Sequence, residues 1–241
     1  MRHFAELLGQ VDTLGYACAE RVFAESDLAR VFDEYGVLVD RLANDWFADG
    51  LLASTYAQIP FEERFLQITR EAGCRWSQHF DISLPLDGIT TDTPIQLGDA
   101  VFNLIRHPRL LDLVEGYMGG EIMSTPIQHI RIKPPEDELR SSQRDGLTVT
   151  SPWHQDQGVA LPVADGVRVL TVWIALTDAS EQNGCLCVVP GSHRSGLLDH
   201  CPNGGQLGNA LEIPVALRTE APITLPVPRG SVIFLHHLTM H

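Results

Sequence analysis

The sequence predicts a protein whose first half is mostly helix and whose second half is a run of short strands of the sandwich, jelly-roll or barrel kind. Three observations carry this. Apolar residues recur at helical spacing up to about position 120. From about 121 onward they alternate in short runs punctuated by Pro and Gly. The later runs follow one another without interruption, which argues against βαβ units.

In chain order, Leu28, Val31, Phe32, Tyr35, Leu38, Val39, Leu42 and Trp46 predict a helix over about 27–47, with Ser26 where an N-cap belongs. A second helix is expected around Phe61 to Glu71, and a pair from Asp99 to Tyr117, stopped by Gly119-Gly120. The β half opens with Ile122 to Lys133 and halts at Pro134-Pro135. A polar segment follows, Glu136 to Gly146, whose loop composition makes it a candidate lid. Strands are then expected at Val149 to His154, Val167 to Leu176, Cys185 to Val189, Ile223 to Val227 and Ser231 to His241. Asn183-Gly184, Pro190-Gly191 and Pro228-Arg229-Gly230 turn the chain between them. Residues 1–241 read as one domain, with 1–120 as helical support and 121–241 as the β core that carries the site.

The 241 residues, 44% apolar and 20% charged, suffice for a real core. The formal charge of -14 comes from 31 acidic against 17 basic residues, with no clustered basic face, which excludes a nucleic-acid polymer as partner. Cys18, Cys74, Cys185, Cys187 and Cys201 make an odd set without C-x-x-C spacing, so free thiols in a reducing compartment are expected. The N-terminus lacks a continuous apolar core, and no stretch approaches the ~18 apolar residues of a membrane helix. The expectation is a soluble, cytoplasmic protein with no membrane partner.

The sharpest local feature is Trp153-His154-Gln155-Asp156. On an extended strand His154 and Asp156 point to the same face, where a neutral imidazole and a carboxylate can share a metal. This donor set suits Fe(II), and a second His would complete a facial triad with open positions. The last strand offers three: His237 and His241 on one face with Thr239, His236 on the other with Met240. His236 and His237 read as core or rim residues, and His193 and His200 as turn residues at strand ends.

Together, Trp153-His154-Gln155-Asp156, the stretch RVLTVWIALTDASEQNGCLCVVPGSHR from Arg168 to Arg194, and RGSVIFLHHLTMH from Arg229 to His241 resemble the phytanoyl-CoA dioxygenase family. More loosely, Leu14-Gly15-Tyr16 before Ser26-Asp27-Leu28 is similar to the family's N-terminal strand and helix. The resemblance implies a double-stranded β-helix, a cupin-like jelly roll, buttressed by the N-terminal helices. It implies Fe(II) as cofactor with 2-oxoglutarate and O2 as co-substrates, acting on an aliphatic C–H of a small-molecule substrate. The implied iron ligands are His154, Asp156 and His241. Halogenating relatives put a small residue in place of the carboxylate, so Asp156 points to hydroxylation. Trp173 and His129 fall at positions that line the 2-oxoglutarate pocket in the family. Arg131, on the same strand face as His129, is expected to pair with a neighbouring carboxylate.

The sequence departs from the family at its end. Members continue beyond the last iron-binding His into another strand carrying an arginine that fixes the far carboxylate of 2-oxoglutarate, and nothing after His241 supplies it. The expectation is a shortened form of a longer chain, its jelly roll lacking the last strand. Two other readings use the same residues: a cupin-type metal enzyme without a 2-oxo acid, and a catalytically silent jelly roll that binds a small ligand. The acidic balance favours a secondary metabolite or an amino-acid derivative over a CoA thioester as substrate.

Overall fold

A computed structural model describes residues 2–73, 80–84, 89–125, 128–132, 150–160, 166–202, 211–218 and 220–241, with the backbone alone at 2–5 and 159. The expected lid at Glu136 to Gly146, the Lys133-Pro134-Pro135 turn and Cys74 lie outside these residues. The chain forms two compact units. One comprises Met1–Glu25, Arg106–Met123 and Thr150–His241, the other Ser26–Ile105 and Ser124–Val149.

The principal described elements of the second unit are helices. Helix α2 (Glu25–Ala48) buries Leu28, Val31, Tyr35, Val39, Ala43 and Trp46, a stripe spaced by three or four residues along one face. Ser26 lies inside its first turn rather than capping it. Helix α3 (Phe61–Glu71) carries the buried Arg64, which donates to Thr55 O at 2.9 Å and pairs with Asp40 of α2. Tyr35 donates from its hydroxyl to Phe80 O at 2.8 Å, and the Phe65 and Phe80 rings meet edge to face. At the N-terminus of α4 (Asp99–Ile105) the Glu34 carboxylate accepts from Ala100 N and from Gln96 Nε2, so an anion sits where the helix presents free N–H groups.

The first unit carries the described strands. Helix α1 (Arg2–Leu14) leads through Gly15 into β1 (Tyr16–Ala19). Gly15 adopts φ +88°, and a Cβ there would lie 2.4 Å from Thr239 Oγ1 and 2.7 Å from His193 Nδ1, so only glycine fits the junction. Helix α5 (Pro108–Met118) starts with Pro at its first turn and with the His107 side chain accepting from Arg109 N. It stops at Gly119, φ +93°, as the glycine pair predicts.

Strands β2 (Leu170–Ile174), β3 (Leu186–Val188), β4 (Cys201–Pro202), β5 (Leu211–Glu212), β6 (Ile223–Leu225) and β7 (Val232–His236) complete the unit. All pairings are antiparallel: a three-stranded sheet in the order β1-β7-β2, and the pairs β3-β6 and β4-β5. Ile233 and Leu235 of β7 share a core with Ala175, Val188, Leu225 and Val227, which joins the larger sheet to β3-β6. The alternate residues Val232 and Phe234 are also fully buried. A central strand covered on both faces explains the unbroken apolar run Val232 to Leu235, each side chain worth ~1.5–3 kcal/mol when buried.

The strand expectations need three corrections. Among described residues, 121–125 and 128–132 form no strand; Met123 is 84% exposed, and the Gln128 side chain bonds Ser124 and Thr125 locally instead of leaving them to a ladder. Residues 150–154 form no strand, and the chain bends at Trp153. The last strand ends at His236, where Thr239 N turns back to His236 O at 2.8 Å. The expected turns are present, with Gly184, Gly191 and Gly230 all at positive φ. No disulfide joins the described cysteines.

Candidate metal centre

The chain at Trp153 is pinned by Ile213 N donating to Trp153 O at 2.8 Å. One residue on, His154 and His241 exchange both backbone hydrogen bonds at 3.0 Å, a single reciprocal pair that sets their rings side by side, centroids 4.4 Å apart. Gln155 is extended, but Asp156 opens a short 3-10 turn, Asp156–Val159. The H-x-D pair therefore does not share a face by strand alternation, as its spacing suggested. The turn itself swings the carboxylate back: Asp156 Oδ1 lies 3.7 Å from His154 Nε2 and 3.8 Å from His241 Nε2. One donor atom from each residue falls within 4.8 Å of the others, the one such group of three among the described residues.

Each donor is held from behind. His154 Nδ1 donates to Pro152 O at 2.8 Å and His241 Nδ1 to Thr239 O at 3.0 Å, which leaves both Nε2 lone pairs facing the carboxylate. The Thr171 hydroxyl of β2 donates to Asp156 Oδ2, so Oδ1 is the oxygen left for a metal. Burial holds the His154 imidazolium below its ordinary range, and His241 adds to this, while Asp156 pulls the other way. A neutral imidazole is the form a metal requires. Two imidazoles and one carboxylate converging within that 4.8 Å span match the facial donor set of non-haem Fe(II).

The other candidates separate clearly. Trp173 lies opposite Ile233 on β2, two residues from Thr171 and so on the same sheet face as the residue that braces Asp156; it packs against the inter-sheet core. His129 belongs to the second unit, with Nδ1 2.9 Å from Asp81 Oδ2, and Asp81 also accepts from Ile130 N and Ile82 N. Burial lowers the Arg131 pKa and the same Asp81 charge partly restores it, in keeping with an expected carboxylate neighbour. His237, expected beside His241, is turned away after β7 and bonds Val169 O at 3.2 Å, while His236 packs against His193. His193 bonds Asp12 O, and His200 bonds Leu198 O and Gln155 N. None of these four joins the donor group. Thr171 was not anticipated; its position two residues before Trp173 on an alternating strand is the signal that could have found it.

Comparison with known proteins bears on this donor set. The sequence model of the family described as phytanoyl-CoA dioxygenase (PhyH) matches residues 11–241. The chain belongs to the phytanoyl-CoA dioxygenase family. Peroxisomal phytanoyl-CoA dioxygenase of Homo sapiens is 29% identical over 156 residues, covering 64% of this chain and 44% of that protein. The chain thus spans less than half the length of that curated relative. Among solved structures, AviO1 from Streptomyces viridochromogenes Tue57 is similar with a TM-score of 0.52 and 21% identity over 98% of this chain and 85% of AviO1. The epimerase SnoN, solved with Fe3+, alpha ketoglutarate and nogalamycin RO, gives 0.51 and 18% over 99% of this chain and 76% of SnoN. Both likenesses are of fold. Within the matched region the described residues bring together one His-Asp-His group whose donor atoms could hold a metal. No described helix is long and apolar enough to cross a membrane.

Proposed function

We propose that the chain is a non-haem dioxygenase in which His154, Asp156 and His241 hold Fe(II), and that it hydroxylates an aliphatic C–H of a small molecule. The observation that carries this is the convergence of two Nε2 lone pairs on Asp156 Oδ1, each donor braced by a second hydrogen bond. When bound, Fe(II) with 2-oxoglutarate and O2 supplies the oxidation, with succinate and CO2 as by-products. The protein's part is to hold both imidazoles with Nε2 toward Asp156 Oδ1 and to set a single carboxylate between them. Asp156 keeps a carboxylate where halogenating relatives have none, which supports hydroxylation.

Trp173 is assigned to the 2-oxoglutarate pocket, supported by its place on the sheet face of Thr171. For His129 the co-substrate role drawn from the family falls to Nε2, since Nδ1 is committed to Asp81. The β1-β7-β2 and β3-β6 sheets are read as parts of a jelly roll, and residues 1–241 as one domain, supported by a family match that runs through both units. The excess of acidic residues favours a secondary metabolite or amino-acid derivative as substrate.

Anaerobic titration of the metal-free protein with Fe(II) and then 2-oxoglutarate tests the reading. A saturable visible charge-transfer band, lost in His154→Ala and in Asp156→Ala, is expected. Stoichiometric iron binding without the band would overturn the 2-oxoglutarate reading in favour of a cupin-type metal enzyme. No iron binding would overturn both.

A further inference from the structure

Gln155 stands between two of the proposed ligands, is fully buried, and has no part in the metal reading. Its side chain is engaged with backbone alone. Nε2 donates to Leu238 O at 2.7 Å and to Gly196 O at 2.9 Å, and Oε1 accepts from Leu198 N at 2.8 Å. Its own N–H donates to His200 Nε2 at 2.9 Å, and His200 Nδ1 donates to Leu198 O at 2.8 Å. The two residues thus close a ring of hydrogen bonds around the 196–200 segment. Gly158, two residues past Asp156, packs so tightly on the His200 ring that a Cβ would lie 2.0 Å from it.

These bonds tie the 196–200 segment to the two segments that carry or precede the proposed ligands. Leu238 lies in the turn between β7 and His241, directly before Thr239, whose carbonyl orients the His241 ring. A Leu or Met would fill the same space but would leave Leu198 N–H, Leu238 O and Gly196 O without the partner that Gln155 gives them. What the amide adds is position: it fixes the His154–Asp156 segment against the turn that delivers His241.

We propose that Gln155, seated against His200, is a positioning residue of the metal centre, so that metal affinity depends on a side chain bonded only to backbone. The inference rests on the metal reading above.

The test uses Co(II) as probe, with affinity from calorimetry and geometry from its visible d–d band, on variants shown to be folded by circular dichroism. Gln155→Met keeps length and removes every side-chain bond. His200→Leu removes the acceptor for Gln155 N–H, and His200→Gln offers an amide oxygen in its place. Gln155→Met and His200→Leu should bind Co(II) on the order of 10- to 100-fold more weakly, with a shifted band. His200→Gln should recover most of the loss. Val39→Ala, in the buried stripe of α2, should lower thermal stability and leave affinity and band unchanged. Wild-type affinity and band in Gln155→Met, at reduced stability, would make Gln155 a packing residue and overturn the inference. Should Gln155→Met fail to fold, His200→Gln binding no better than His200→Leu would do the same. A wild-type protein that binds no Co(II) would overturn the metal reading itself, a failure visible before any variant is made.

Discussion

Gly158→Ala is the sharpest probe of the packing behind the ligands. The added Cβ would fall 2.0 Å from His200 Cε1 and 2.3 Å from both ring nitrogens. Those nitrogens are engaged at 2.8 Å with Leu198 O and at 2.9 Å with Gln155 N–H, so the ring cannot retreat to van der Waals distance without giving up both bonds. Overpacking by one methyl costs ~1–3 kcal/mol and a lost hydrogen bond ~0.5–1.5 kcal/mol, so the substitution should destabilise the fold by roughly 2–6 kcal/mol. Urea denaturation of four proteins measures it: wild type, Gly158→Ala, His200→Ala and the double variant. Removing the ring removes the obstacle, so the double variant should be more stable than the two single losses predict, by about 1 kcal/mol or more. Single losses that add to within ~0.5 kcal/mol would refute the argument, because the methyl would then be destabilising for a reason unrelated to His200.

Two further outcomes follow from the site and its surroundings. Thr171→Val removes the hydroxyl that donates to Asp156 Oδ2 and keeps the β-branched shape, so thermal stability should change little while Co(II) affinity falls about tenfold in calorimetry. His236 is pushed down to about 4 from 6.5, first by burial and then by the nearby His237, His193 and Arg168, with Asp12 opposing. The folded state thus resists a proton that the unfolded chain accepts, and this residue's contribution to stability is lost as pH falls from about 6.5 to about 4. Urea midpoints between pH 7.5 and pH 4.5 should fall less steeply in His236→Gln than in wild type, and parallel slopes would remove His236 as the cause.

How far the sequence could be read depended on the range of the forces at each point. Helix α2 was legible almost to its ends because its stripe from Leu28 to Trp46 is a local periodicity. Strand β7 was legible, but its end was not. Thr239 gives its hydroxyl hydrogen to Gly15 O and Met240 N donates to Ser192 Oγ, partners far away in the chain that no spacing rule contains. The segment around Ile122 had strand composition and no described strand to pair with, so propensity alone misled. The donor trio was named by residue type and family likeness, while the geometry that brings its atoms together was not foreseen. A 3-10 turn does what alternation was expected to do, and the braces Thr171, Gln155 and His200 become visible only when that turn is folded.

The order of the sheet has a consequence for synthesis. Strand β7 lies between β1 and β2, so the middle strand is the last of the three to leave the ribosome. Gly15 waits for Thr239, 224 positions away, before the junction into β1 can close. Until then β1 and β2 are two edges with nothing between them, free to pair with another nascent chain. His154 and Asp156 share this delay, because the third donor arrives five residues behind β7. Metal capture by the three proposed donors would therefore report that translation has passed β7, and a chain stalled short of it would carry neither the β1-β7-β2 sheet nor the full donor group.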